Sequence, residues 1–161
     1  MTQTVAAAAQ GNTRDVAREL SRLIRGEIDF RDFPWLTPHE RRALGALGMA
    51  MLKASKPEIA KAAFGVLIDL EPEQAVHYLM YGHAAAMRDL VPEAFEYFGR
   101  AIHLAAADRD QDDVAAEAFL ARGELLLRLG RTVEARADLA DACGRVGDPA
   151  RRRSIESYLA S

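Results

Sequence analysis

The sequence predicts an all-α chain built from repeated helix–turn–helix units. Three observations carry this prediction. A residue pattern returns after 34 positions, as from Gly48 to Gly82. Pro, Gly and polar residues interrupt the apolar periodicity where a helical hairpin needs its turns. The composition tilts to Ala and Leu, which favour helices, and only 7% of the 161 residues are aromatic. Half of the residues are apolar, enough for a core, and the length suits one domain of roughly 100–200 residues.

Charge and cysteine content narrow the function classes. Basic residues number 21 and acidic ones 24, a net charge of −3, without the basic excess usual in nucleic-acid binders. The single cysteine, Cys143, excludes an intramolecular disulfide and fits a reducing compartment. The opening Met1-Thr2-Gln3-Thr4-Val5 and its following alanines lack the basic region and long apolar core of a signal peptide. No run approaches the roughly 18–20 apolar residues that span a bilayer. A soluble cytoplasmic protein without membrane insertion is expected.

Counted from Arg41, the fourth, seventh, eighth and eleventh places hold Leu44, Leu47, Gly48 and Met51. Ala60 and Phe64 take the twentieth and twenty-fourth, and Pro72 the thirty-second. One period later the same places hold Tyr78, Tyr81, Gly82, Ala85, Ala94 and Phe98, with Ala101 after them and Ala106 in place of the proline. A third unit from Ala116 supplies Phe119, Gly123, Leu126, Ala135, Leu139 and Ala142. This pattern is similar to the tetratricopeptide repeat. There, small residues at the eighth and twentieth places let helices A and B approach, and bulky ones at the fourth and twenty-fourth fill the space between units. One unit cannot bury its apolar face alone, so at least about three must stack.

The elements follow in order. Residues 1–36 are an N-terminal helix and linker. Asn12 or Thr13 caps a helix through Gly26 with Val16, Leu20, Leu23 and Ile24 on one face. The apolar stretch from Ile28 to Leu36 then docks on the first unit. Residues 37–147 hold the three repeats, about 41–74, 75–108 and 116–147. Thr37-Pro38-His39-Glu40 has the form of a capping box that starts the first helix A. Ser55-Lys56-Pro57-Glu58, Leu90-Val91-Pro92-Glu93 and Leu129-Gly130-Arg131-Thr132 separate A from B. The third unit comes seven residues late, behind a polar run from Asp108 to Asp113. Seven residues make about two helical turns, so this insert lengthens a helix or forms a loop. Residues 148–161 are a C-terminal capping helix with Ile155, Tyr158 and Leu159 on one face.

No catalytic constellation emerges, and no enzyme, cofactor or metal is expected. His39, His77, His83 and His103 are scattered; His77 and His83 stand about 240° apart round a helix. Cys143 lies among packing positions, where free cysteines are common and inert. The acidic run lacks the glycine and closing Glu of a calcium loop, with Asp113 and Phe119 in those places. Arg151-Arg152-Arg153 reads as solvated charge on the capping helix.

Stacked units of this kind offer the A helices as a concave ligand surface. The second, fifth, ninth, twelfth and thirteenth places face it: Arg42, Gly45, Met49, Leu52 and Lys53, then Val76, Leu79, His83, Ala86 and Met87, then Glu117, Leu120, Glu124, Leu127 and Arg128. Met49, Leu52, Leu79, His83, Met87, Leu120 and Leu127 are the candidate peptide-binding residues. An apolar centre with charged rims suits an extended apolar segment, and methionine adapts to such ligands. The alternative is that the N-terminal helix covers some of these side chains. The Lys, Asn and Arg clamp of repeats that grip acidic chaperone tails is absent, since the ninth places hold Met49, His83 and Glu124.

The stretches from Ala60 to Pro72, Tyr81 to Ala86 and Ala118 to Leu127, with the turn Leu129-Gly130-Arg131, carry a further resemblance. Across about residues 37–147 the chain resembles the class II type III secretion chaperones, which serve translocator proteins of Gram-negative bacteria. The resemblance implies a non-enzymatic chaperone that holds a secreted client soluble before export. It also implies a homodimer through the N-terminal helix, with Val16, Leu20, Leu23 and Ile24 as the candidate seam. A needle-subunit co-chaperone of the same machine, or a regulatory scaffold docking folded partners, are the alternatives.

Overall fold

The structure, a computed structural model, describes residues 18, 21, 22, 24–28, 36–107 and 111–159. It has two compact units, Met1–Arg41 and Arg42–Ser161. In the first, residues 18, 21, 22 and 24 are helical. The Arg25 amide donates to the Ser21 carbonyl at 3.2 Å, and Gly26 at φ 70° ends the helix in the left-handed region that glycine enters freely. Ile24 is 77% exposed. Val16, Leu20 and Leu23 of the expected seam, and residues 29–35 of the linker, lie outside the described residues.

Thr37 forms the expected capping box. Its amide donates to Glu40 Oε2 at 2.7 Å, while the Glu40 amide donates back to Thr37 Oγ1 at 3.3 Å. These bonds satisfy two of the donors a helix start leaves open, and the Thr37 amide holds the Glu40 carboxyl below its usual range.

Seven helices follow: α1 (Pro38–Lys53), α2 (Pro57–Leu70), α3 (Ala75–Met87), α4 (Val91–Ala106), α5 (Asp112–Arg128), α6 (Thr132–Arg145) and α7 (Pro149–Leu159). There is no strand among the described residues, and none of these helices is long and apolar enough to cross a membrane. The first six pair as A and B helices, and the small residues sit where the helices meet. A Cβ on Gly48 would stand 2.7 Å from the Phe64 ring, and one on Gly82 2.6 Å from the Phe98 ring. On Gly123 it would meet Leu139 Cγ at 3.1 Å. Ala60, Ala94 and Ala135, the twentieth places, are wholly buried.

The three A-to-B turns are the same turn. Lys56, Leu90 and Arg131 donate their amides to the carbonyls of Met51, Ala85 and Leu126 at 2.8, 3.0 and 2.9 Å. Ser55, Asp89 and Gly130 donate to Leu52, Ala86 and Leu127 at 3.0–3.1 Å, and all three have positive φ. This is the Schellman closure of a helix C-terminus. The polar insert goes partly into helix: α4 ends at Ala106 and α5 already starts at Asp112, before Ala116. Asp112 anchors that extension through Arg145 at 2.8 Å.

Apolar clusters run along the stack. Tyr78, Leu79, Ala94 and Phe98 join Ala118, Ala121 and Leu125 of the next unit. Phe119, Leu139, Val146 and Ile155 close the C-terminal end. Burial of a phenylalanine or leucine contributes about 1.5–3 kcal/mol. Polar groups then link neighbouring helices: Lys61 and Tyr81 both reach Glu93, at 2.7 and 2.9 Å, and Arg122 grips Asp138 with two 2.7 Å bonds. Asp138 is a buried charge, so both its oxygens need those partners. The arginines of α7 are exposed, as expected of solvated charge, and two of them also make bonds to the stack. Arg151 pairs with Glu117, and Arg152 donates to the Val146 carbonyl at 2.8 Å. Both fasten the capping helix, with Ile155 buried beneath it while Tyr158 stays exposed.

Candidate functional site

Helices α3 and α5, the A helices of the second and third repeats, touch each other. Between them opens a pocket of about 210 Å³ lined by His83, Ala86, Met87, Phe98, Ala121, Glu124, Leu125 and Arg128. Five of these are expected surface places: the ninth, twelfth and thirteenth of one repeat, and the ninth and thirteenth of the next. The floor is apolar. Phe98 reaches it from α4, through the gap that Gly82 leaves, and packs edge-on to the His83 ring at a centroid distance of 5.3 Å.

The polar groups of this pocket differ in state. Burial pushes the His83 imidazole down, which keeps it neutral near pH 7. Burial pushes the Glu124 carboxyl up, and Glu124 has no hydrogen bond or ion pair among the described residues. Arg128 is paired with Asp89 at 3.6 Å.

The expected lining residues separate into three groups. His83 and Met87 line the pocket, and Met87 is exposed, as is Met49 on α1. Leu52 is half-buried against Ala60, Phe64, Leu67 and Ala84. Leu120 and Leu127 are half-buried against the C-terminal cluster that contains Ile155. Leu79 is a correction. It is 2% exposed, packs in one cluster with Ala118, Ala121 and Leu125 of α5, and is not among the residues that line the pocket, so it is core. Ile24 of the expected seam is exposed, and its three companions lie outside the described residues. Phe98, Ala121 and Leu125, buried core residues themselves, close the pocket floor from beneath, and the surface places do not announce them.

The histidines take separate roles. His77 Nε2 lies 3.0 Å from Glu71 Oε2, on a different face from His83. Among the described residues no three of His, Cys, Asp and Glu gather where they would hold a metal ion. Cys143 is half-buried, 3.8 Å from Glu156 Oε1.

No family model and no curated protein matches the sequence. Solved structures do match it. The Yersinia enterocolitica type III secretion translocator chaperone SycD is 19% identical, with 77% of this chain and 90% of that one covered and a TM-score of 0.64. PcrH, solved in complex with the chaperone binding region of PopB, is 22% identical over 78% of this chain and 94% of its own, with a TM-score of 0.58. The N-terminal domain of stress-induced protein-1 from C. elegans is 17% identical over 74% and 94%, with a TM-score of 0.62. The fold is a tetratricopeptide-repeat solenoid. Both secretion chaperones and a stress protein share it, so the solenoid alone does not choose a client.

Proposed function

We propose that this protein is a non-enzymatic chaperone that holds an extended, mainly apolar segment of a secreted client along its A helices. A translocator of a type III secretion machine is the client class favoured here. The observation that carries the reading is the pocket between α3 and α5, with its apolar floor of Phe98, Ala121 and Leu125 and the exposed Met87 at its edge. Such a floor gives a client side chain an apolar seat, and methionine adjusts to its shape. The likeness to SycD and to PcrH, whose partner in its complex is a chaperone binding region, supports the client class. The ninth places hold Met49, His83 and Glu124, not the basic and amide groups that would grip an acidic tail.

The test is co-expression with candidate translocators and needle subunits, followed by pull-down. Met49→Glu, Met87→Glu changes two exposed side chains and leaves the buried Leu79 in place. Charge placed against an apolar client without a partner costs several kcal/mol, on the order of 2–7 for a polar group. The double variant is expected to keep its helical circular dichroism and lose the client. A client retained at full strength would move the binding surface away from the A helices.

A further inference from the structure

An apolar client side chain does not complete the pocket between α3 and α5. Its walls are apolar, but Glu124 projects a carboxylate that nothing among the described residues pairs. Glu124 is exposed, so a wholly apolar occupant laid against it would strip part of its water and supply no partner in return, which is unfavourable. An acidic occupant would set two like charges against each other. The other polar linings do not relieve Glu124. Arg128, four residues on, makes its ion pair with Asp89 at 3.6 Å on the exposed surface and none with Glu124, and His83 packs on the Phe98 ring at 5.3 Å.

We propose that Glu124 sets client specificity: the pocket takes a lysine or arginine side chain, its aliphatic stem along Met87 and Leu125 and its cationic head at the Glu124 carboxylate. This rests on the groove reading above, and it adds one required basic residue to an otherwise apolar segment. Both side chains suit such a site, because they bury their methylene stems along apolar surface while the charged end finds a partner. Partial burial raises the Glu124 carboxyl, and a cation beside it would draw it back down.

The experiment selects a phage-displayed library of random extended peptides on the full chain and on Glu124→Gln, with circular dichroism to check that both fold. The proposal expects wild type to enrich peptides with Lys or Arg at one fixed place among apolar residues. It expects Glu124→Gln to keep the apolar preference and lose the basic one. A selected lysine peptide should bind the variant about five- to tenfold more weakly, as loss of about 1 kcal/mol of a partly exposed pair implies. Its affinity for wild type should fall with added salt. Apolar peptides without a fixed basic place, or a basic preference that survives in Glu124→Gln, overturn the role of Glu124 and leave the groove reading standing. Enrichment of no peptide by wild type overturns both.

Discussion

A glycine inside a helix costs about 1 kcal/mol relative to alanine, yet each A helix carries one at its eighth place. The close contact explains the choice. The Phe98 ring stands where a Cβ on Gly82 would be, at 2.6 and 2.7 Å from two ring carbons, and a ring fully enclosed on its other sides has little room to move. Gly123 is less demanding, because a Cβ there would stand 3.1 Å from Leu139 Cγ, and a shift of a few tenths of an ångström relieves that contact. Overpacking a core costs about 1–3 kcal/mol, and the helix-propensity gain offsets part of it. Gly82→Ala is therefore expected to lose about 1–2 kcal/mol in urea unfolding, and Gly123→Ala to stay within about 0.5 kcal/mol of wild type. Equal stability of the two variants would show that the Phe98 ring yields as readily as Leu139. Because Phe98 is also the floor of the pocket, Gly82→Ala should weaken client capture as well.

At the scale of the element, the three Schellman turns show what repeats in the chain beyond the apolar pattern. The same place holds Gly130 at φ 73°, Asp89 at 58° and Ser55 at 54°. A left-handed residue other than glycine costs roughly 1–2 kcal/mol, and aspartate tolerates this better than most. Ser55→Gly is thus expected to raise stability by about 0.5–1 kcal/mol, net of glycine's greater unfolded-state freedom. Asp89→Gly should gain less, since it also removes the contact with Arg128. Thermal unfolding of the two variants reads this order, and a destabilised Ser55→Gly would reverse the argument. These turns, the helix pairing and the capping box at Thr37 are legible in the sequence because each depends on a few neighbouring residues. The site is less so. Rules for surface places give a direction around the A helix but not the depth beneath the next one. Leu79 therefore reads as lining although it packs in the core with α5, and Phe98, which reads as core and is core, also forms the pocket floor. The state of Glu124 depends on what lies across that gap, which no local pattern contains.

At the scale of the repeat stack, helices pack within their own unit and on the adjacent one, so stability is close to a sum of unit and interface contributions. The last unit has a neighbour on one side only, and α7 supplies the other surface. Ile155 is 1% exposed and sits in the cluster with Phe119, Leu139 and Val146, while Leu120 and Leu127 lean on the same cluster. Removing most of that side chain with Ile155→Ala is expected to cost about 2–5 kcal/mol. A nearest-neighbour stack should not lose this stability evenly. Hydrogen exchange should speed first in α7, α6 and the start of α5, and α2 should keep its protection until global unfolding. Client capture should then weaken in proportion to loss of order in α5, because α5 carries Ala121, Glu124 and Leu125 of the pocket. Uniform acceleration across α2 to α7 would instead mean that the repeats unfold as one cooperative block, with the capping helix supporting the pocket through the whole stack and not through α5 alone.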